Sequence, residues 1–234
     1  MNTRDLNLSS RRENTRDVTV KVFGITEIEK HFQESVRAIE NKFPLALKLQ
    51  ETGNIDDAMD VWRTQIVFLE SAFDFYMHEL VKLGIISIFN GEWNGGKSTK
   101  YLNLSFSMSY LEDALKDSTK DVWLKNWINE KYSSITMMSY EDLNKVCNLL
   151  ELDMANISNE VFYERGDTVK TSEKLKTFMN DLYSRRNMIA HQADRRMENA
   201  THENLEELTV KRYLDNMKKI VTAIGKEMRK KLTE

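Results

Sequence analysis

The chain has 234 residues, of which 41% are hydrophobic and 30% are charged, with one proline and 8 glycines. This length and apolar content can bury one good core, and the shortage of glycine and proline favours helices over tight turns. A formal net charge of −3 at pH 7 argues against a protein that coats nucleic acid through charge alone. The single cysteine excludes a disulfide framework, and no signal peptide or long apolar run is visible. We therefore expect a cytoplasmic protein that does not enter a membrane.

The first residues, 1 to 17, are polar and carry four arginines, a composition typical of a flexible arm. From Val18 to Val22 apolar and polar residues alternate up to Gly24, which predicts a short strand. A lone strand needs a partner, and residues 101–106 alternate in the same way, so we expect a small two-stranded element. This divides the chain into an arm with an extended segment (1–24) and one helical domain (25–234), with an irregular insertion around 84–108.

The first helix of the domain is predicted from the capping-box spacing of Thr26 and Glu29, followed by apolar residues at helical spacing up to Phe43. Pro44 should end or kink it. A turn at residues 53–54 then precedes the next helix.

A long helix is predicted from Asp56 or Asp57 to about Leu83. Opposite its apolar stripe it carries Arg63, with Glu70, Asp74 and His78 following at helical spacing. A carboxylate on this face is placed to meet an arginine from a facing helix. For Asp74 and His78 we favour a solvated pair.

Residues 84–104 are the least regular part of the chain. Within them, residues 91–98 satisfy the phosphate-loop pattern G-x-x-x-x-G-K-S through Gly91, Gly96, Lys97 and Ser98. A working phosphate loop needs a strand before it, a helix starting at the lysine, and a later strand that ends in an aspartate. The surrounding sequence does not supply this setting. We therefore predict a glycine-rich loop between helices and no nucleotide site.

Residues 109–170 read as an amphipathic segment over 109–125, a short helix over 139–152 and a connecting loop over 153–170. Trp123, Trp127 and Tyr132 are close together at helical spacing, which is more typical of a core than of a base-stacking surface. Cys147 lies in an apolar helical pattern and is interpreted as a small core residue.

The helix predicted over 172–196 carries the most informative pattern, because residues 186–191 read Arg-Asn-Met-Ile-Ala-His. Arg186 falls within the apolar stripe, where an unpaired charge is costly, while Asn187 and His191 share a neighbouring polar face. On residue types alone, a buried arginine paired with a carboxylate from another helix, beside a surface histidine, is the simpler interpretation. The apolar stripe of the 172–196 helix consists of Leu175, Phe178, Met179, Leu182, Ile189, Ala190 and Ala193. A last helix follows, with its own apolar stripe from Leu208 to Met228.

An arginine, a polar residue, three spacers and a histidine near the C-terminal end of an all-helical chain resemble the R-x4-6-H motif of the HEPN superfamily. Residues 183–191 are similar to the RNxIAH form of prokaryotic HEPN families, the RiboL-PSP type among them. Residues 62–73 are similar to the first long helix of that group. The resemblance extends over about residues 55 to 225, and the motif is its specific part. It implies an all-α, irregular HEPN-like bundle whose central pair is formed by the 57–83 and 172–196 helices.

The resemblance implies a metal-independent endoribonuclease that leaves a 2′,3′-cyclic phosphate and a 5′-hydroxyl, often as a toxin or phage-defence effector. The catalytic residues it implies are Arg186, Asn187 and His191. A histidine suits proton transfer, and an arginine suits stabilising the charge that builds on a phosphate. Asn187 would orient the histidine or the phosphate. No cofactor and no metal site are expected. The expected substrate-binding residues are Arg185, Arg195, Arg196 and Glu70.

The expected partners are an RNA substrate and a second copy of the chain, since positions 186 and 191 are about 140° apart on an ideal helix. HEPN relatives generally form dimers with composite sites, so we predict a homodimer joined across the motif helices. An antitoxin or regulatory protein is a further expected partner. HEPN toxins that are neutralised by a nucleotidyltransferase often carry a tyrosine two residues after the histidine, but here that position is Ala193. The resemblance therefore does not imply that kind of antitoxin.

Two other interpretations remain open. A non-catalytic HEPN-like interaction module would use Arg186 structurally. A nucleotide-binding protein would use residues 91–98.

Overall fold

The computed structural model describes residues 20–116, 121–195 and 200–233, which are built mainly from α-helices. None of the residues in these ranges belongs to a β-strand, so the predicted all-α fold is confirmed. The helices are, in chain order, α1 (Ile25–Glu40), α2 (Phe43–Glu51), α3 (Ile55–Asn90), α4 (Thr99–Leu102), α5 (Met108–Lys116), α6 (Val122–Tyr132), α7 (Tyr140–Leu150), α8 (Met154–Phe162), α9 (Thr171–Gln192) and α10 (Glu207–Lys231).

Helix α3 is the central element of the fold. It is 36 residues long, and α1, α2, α6, α7, α9 and α10 all pack against it. Its fully buried side chains include Trp62, Ile66, Phe73 and Tyr76. Burial around most of its circumference is what a helix surrounded by other helices requires.

The long helix continues to Asn90, so the predicted end at Leu83 is wrong. Ile85 and Ile88 are buried within the extra turns. The helix stops where Gly91 adopts a left-handed conformation (φ 79°), and the amide of Glu92 donates to the carbonyl of Ser87 at 2.8 Å. A glycine in this conformation after the last helical residue satisfies the final carbonyl groups without steric cost.

The first two helices also depart from the prediction. Helix α1 begins at Ile25 after Gly24, which places Thr26 inside the first turn, so the predicted capping box is wrong. Pro44 lies in the first turn of α2, where its missing N–H leaves no helical hydrogen bond unmade. It therefore begins a second helix instead of kinking the first.

The predicted pairing of residues 18–22 with 101–106 is wrong for the residues that can be described. Residues 20–24 have no regular secondary structure, and Tyr101 lies in α4. Val18 and Thr19 lie outside the described residues. The alternation of apolar and polar residues was not sufficient evidence for a strand, because Val22 and Phe23 pack half-buried on the helical core and no described residue forms a partner strand.

Helix α8 occupies part of a segment that the sequence suggested was a loop. The carboxylate of Asp153 accepts hydrogen bonds from the amides of Ala155 (2.9 Å) and Asn156 (3.0 Å), which caps the helix. Ile157 is fully buried and attaches the helix to the core. Met154, Val161 and Phe162 are half-buried against the same core, but four apolar residues in a helix of 9 residues give too short a pattern to stand out in the sequence.

Helix α9 packs against α3, α7 and α8, and the first part of its predicted stripe is confirmed. Its second part is not, since Ile189 is half-buried while Ala190 and Ala193 are exposed. The helix ends at Gln192 instead of 196 because Ala193 and Asp194 turn the chain through left-handed conformations (φ 49° and 58°). Its buried residues are Leu175, Phe178, Met179 and Leu182.

The packing of α9 predicts that Leu182→Ala lowers the free energy of unfolding by about 2–5 kcal/mol, because it leaves a cavity in the core. Leu182 has no exposed surface, whereas Leu208 on α10 is 74% exposed. Leu208→Ala is therefore the matched control and should change stability by less than about 0.5 kcal/mol. Urea unfolding of both variants measures the difference, and equal losses would contradict the assigned packing of α9.

Candidate functional site

The motif residues lie on the last two turns of α9. Arg186 and Asn187 are half-buried, and His191 is exposed. The guanidinium of Arg186 donates from Nη1 to Oδ1 of Asn187 at 3.1 Å. A hydrogen bond thus joins these two neighbouring motif residues. His191 has no hydrogen-bond partner among the described residues. The imidazole is therefore open to solvent.

Glu70 on α3 lies within electrostatic range of Arg186 and has no exposed surface. Burial raises the pKa of its carboxyl from 4.5 to about 8, with Asp74 adding to the rise and the positive charge of Arg186 opposing it. Neither carboxyl oxygen has a hydrogen-bond partner among the described residues. At pH 7 Glu70 is therefore mostly neutral, and the charge of Arg186 is left largely unneutralised by it.

A different carboxylate forms the buried ion pair at this end of the molecule. Asp194 has no exposed surface, and its Oδ2 accepts from Nε of Arg63 at 2.7 Å and from Nη2 of Arg185 at 2.9 Å. Arg63 also donates from Nη1 to Asp60 at 2.8 Å. The sequence interpretation assigned a buried arginine paired with a carboxylate to Arg186. The structure gives this role to Arg185, the residue before the motif, and to Arg63 on α3.

The burial of Asp194 was not predicted from the sequence. Its position between Ala193 and Arg195, just beyond the end of a helix, gives no sign that it turns inward. The signal that existed was Arg63, a lone arginine on the face of the long helix that also carries Glu70. A buried arginine on that face requires a carboxylate from another element.

The arginines expected to bind substrate have different environments. The side chain of Arg185 is 11% exposed and held by Asp194, so it is not retained as a substrate-binding candidate. Arg195 is exposed, and its Nη1 donates to the carbonyl of Ala200 at 2.7 Å. Its backbone also forms an isolated antiparallel bridge with His202. Arg196 lies outside the described residues.

Asp74 and His78 form a half-buried pair on α3, although the sequence favoured a solvated one. His78 Nε2 is 3.6 Å from the carboxylate of Asp74, which also accepts the amide of Met137 at 2.6 Å. The half-burial arises because the segment before α7 lies over this part of α3, where Met137 is buried. Asp74 thus has a structural role, because it attaches the segment before α7 to α3.

The glycine-rich segment 91–98 lacks the strand-loop-helix setting of a phosphate-binding loop. It follows helix α3 instead of a strand, and Gly91 is the residue that terminates that helix. The hydroxyl of Ser98 donates to the carbonyl of Leu149 at 2.6 Å and accepts the amide of Tyr101, which starts the short helix α4. The backbone of Asn94 is attached to the C-terminal end of α10 through Lys231. These contacts give the segment a structural role, because they attach it to α7 and to the end of α10.

Over the residues described, no three His, Cys, Asp or Glu side chains are grouped so that they could hold a metal ion. None of the helices in the described ranges combines the length and the apolar character needed to span a bilayer. Cys147 is buried, and burial raises the pKa of its thiol to about 12, so it is a core residue, as predicted.

Comparison with protein families places the whole helical part of the chain in one family. The RiboL-PSP-HEPN family matches residues 23–230, a range that runs from just before α1 almost to the end of α10. The chain therefore belongs to the RiboL-PSP-HEPN family, as its motif suggested. This family suggests a nuclease or RNA-related role. Comparisons with curated proteins and with solved structures return no match.

The raised pKa of Glu70 predicts an unusual pH dependence of stability. Between pH 4.5 and about 8 the unfolded chain loses this proton while the folded protein keeps it. The free energy of unfolding should therefore fall as the pH rises through this window, by at most ~1.4 kcal/mol per pH unit. Because glutamine cannot ionise, Glu70→Gln should be more stable than wild type at pH 8, with an advantage that shrinks towards pH 5.

Urea unfolding at pH 5, 6, 7 and 8 measures this effect. Glu34→Gln is the control, because the Glu34 side chain is 57% exposed on α1 and its removal should leave the pH dependence of wild type intact. Parallel stability curves for wild type and Glu70→Gln would show that Glu70 does not hold its proton.

Proposed function

We propose that the protein is an endoribonuclease in which Arg186, Asn187 and His191 are the catalytic residues. The 2′-oxygen of RNA attacks the adjacent phosphorus, and the bond from phosphorus to the 5′-oxygen breaks. The 2′-hydroxyl gives up its proton and the 5′-oxygen receives one, which leaves a 2′,3′-cyclic phosphate and a 5′-hydroxyl. The reaction needs proton transfer and charge stabilisation, which side chains can supply without a metal.

The observation that carries this proposal is the state of Arg186. Its guanidinium is oriented by a hydrogen bond to Asn187 and lies within electrostatic range of the buried carboxyl of Glu70, whose pKa burial raises to about 8. A positive charge that is oriented but not neutralised is suited to a phosphate whose negative charge grows in the transition state. Glu70 acts from behind Arg186, since its burial keeps it away from RNA.

His191 is the proton-transfer group in this proposal. It is exposed at the end of α9, so a phosphodiester from solvent can reach it. An imidazole is suited to gain or lose a proton near neutral pH. Asn187 acts on Arg186, with which it shares a hydrogen bond. Arg195, exposed beyond the end of the helix, is the remaining described candidate for binding the RNA backbone.

A homodimer with composite sites completes the proposal. Arg186 and His191 point about 140° apart around α9, so one helix does not readily direct both at one phosphate. The last turn of α9 exposes Ala190, and Ala193 beyond it is exposed too, so small side chains are available where a second α9 could pack closely. Two copies facing each other would bring Arg186 of one chain to His191 of the other. A role as a toxin or phage-defence effector, restrained by an antitoxin or regulatory protein, is part of the same proposal.

Arg186→Ala and His191→Ala should each abolish cleavage of total RNA without lowering helical content. Loss of the arginine should cost roughly 3–4 kcal/mol of transition-state stabilisation, and loss of the histidine about 10²–10⁴ in rate. Wild-type protein should cut in the presence of EDTA, and mapping of the ends should give cyclic phosphates and 5′-hydroxyls.

Matched controls are Arg212→Ala, which removes an arginine that is 58% exposed on α10, and His202→Ala, which removes an exposed histidine outside the motif. Both should cut like wild type. An Arg186→Ala protein that still cuts RNA would refute the catalytic assignment. Inactive wild-type protein with intact folding would favour the non-catalytic HEPN-like module.

A mixed dimer tests the composite site. When one subunit carries Arg186→Ala and the other His191→Ala, a composite arrangement leaves one complete site and one empty site per dimer. Co-expression with two different affinity tags and sequential purification should then recover about half of the wild-type activity. If each site is built within one chain, the mixed dimer should stay inactive.

A further inference from the structure

The end of α9 is held by a buried ion pair that the catalytic proposal does not use. Asp194 lies three residues after His191, and its carboxylate is fully buried between Arg63 of α3 and Arg185 of α9. A buried carboxylate is costly unless it is paired, and here two guanidinium groups donate to the same oxygen. The contact with Arg63 joins residues that are 131 positions apart in the chain, so it connects two elements of the fold.

The backbone around Asp194 is held in a conformation that side chains disfavour. Ala193 and Asp194 both have positive φ (49° and 58°), and neither is a glycine. Such residues cost free energy and persist where the surrounding structure determines them strongly. The amide of Asp194 donates to the carbonyl of Met188 at 3.0 Å, and its carbonyl accepts the amide of Glu203 at 2.9 Å. The side chain and the backbone of Asp194 thus fix the same chain reversal.

We propose that Asp194 and Arg63 are positioning residues for His191. The inference rests on the proposed catalytic role of His191 and adds how that residue is held. The outer face of the last turn of α9 is exposed, and the packing of this turn on the core depends on the half-buried Ile189. The ion pair to α3 supplies a further constraint. Glu70 lies seven residues from Arg63 on the same helix, so α3 sets the positions of both ends of the motif.

Two variants weaken the ion pair to different degrees. Asp194→Asn removes the buried charge. Arg63→Lys keeps a positive charge but lacks the fork of donors with which Arg63 reaches Asp60 and Asp194 together. This milder variant keeps the test valid if Asp194→Asn does not fold.

Two control variants remove ion pairs elsewhere. Asp60→Asn removes the exposed partner of Arg63 and leaves Asp194 paired. Asp181→Asn removes a contact of α9 with Arg212 and Tyr213 of α10, in which neither Arg63 nor Asp194 takes part.

The first measurement does not depend on activity. Hydrogen exchange of the amides of Asp194 and Glu203 should be at least tenfold faster in Arg63→Lys, while amides in the middle of α9 keep their wild-type rates. The imidazole NMR signals of His191, assigned by their loss in His191→Gln, should shift or broaden in Arg63→Lys. Neither observable should change in Asp181→Asn or Asp60→Asn. Unchanged exchange and unchanged His191 signals in Arg63→Lys would overturn the inference.

The second measurement is RNA cleavage. A displaced catalytic group lowers turnover more than binding, so kcat should fall about 10- to 100-fold in Arg63→Lys with KM within about twofold of wild type. The two controls should keep wild-type kcat. Wild-type kcat in an Arg63→Lys protein whose His191 signals have changed would also overturn the inference. If the wild-type protein cuts no RNA, the proposed function fails, and the exchange and NMR results alone decide whether the ion pair holds His191.

Discussion

The buried carboxylate of Asp194 imposes a condition that the rest of this region has to meet. A charge without access to water is tolerated only where opposite charges and hydrogen-bond donors surround it. Arg63 and Arg185 meet that condition from two different helices. The pairing therefore fixes both the rotation of α9 about its axis and its position along α3, because a small displacement would leave the charge of Asp194 unpaired. Apolar packing alone is less specific, since side chains such as Leu182 can slide past one another at a lower cost.

Two neighbouring arginines on α9 differ in whether a buried carboxylate neutralises them. Arg185 and Arg186 are about 100° apart around the helix. Arg185 is turned towards Asp194 and is committed to the ion pair. Arg186 lies within electrostatic range of Glu70, a carboxyl whose pKa is raised to about 8 by burial and which is mostly neutral at pH 7. The fold thus uses one guanidinium to neutralise a buried charge and leaves the next one charged and oriented by Asn187. A sequence that reads Arg-Arg does not reveal which residue has which role.

The sequence carries the helical class, the main helices and the motif, because each depends on local periodicity or on residues that are adjacent in the chain. Features that depend on tertiary contacts were not predictable in this way. The extension of α3 through Ile85 and Ile88 looked like the start of a loop because glycines follow, yet burial keeps it helical. The strand expected at residues 18–22 was inferred from alternation alone. The burial of Asp194 follows from Arg63, which lies 131 positions away, and a local pattern contains no information at that distance.

The exposed end of α9 poses a physical problem that the buried ion pair resolves. In the proposed function His191 exchanges protons with RNA and has to be reachable from solvent, yet a helix end that is open to solvent frays and loses order. His191 is exposed, and Ala190 beside it is too small to anchor the turn. Asp194 places the anchor three residues further on, beyond the turn that carries the imidazole, and buries it completely. Order is thus supplied from the inside of the fold, which leaves the outer surface of the helix free for a substrate or for a second copy of the chain.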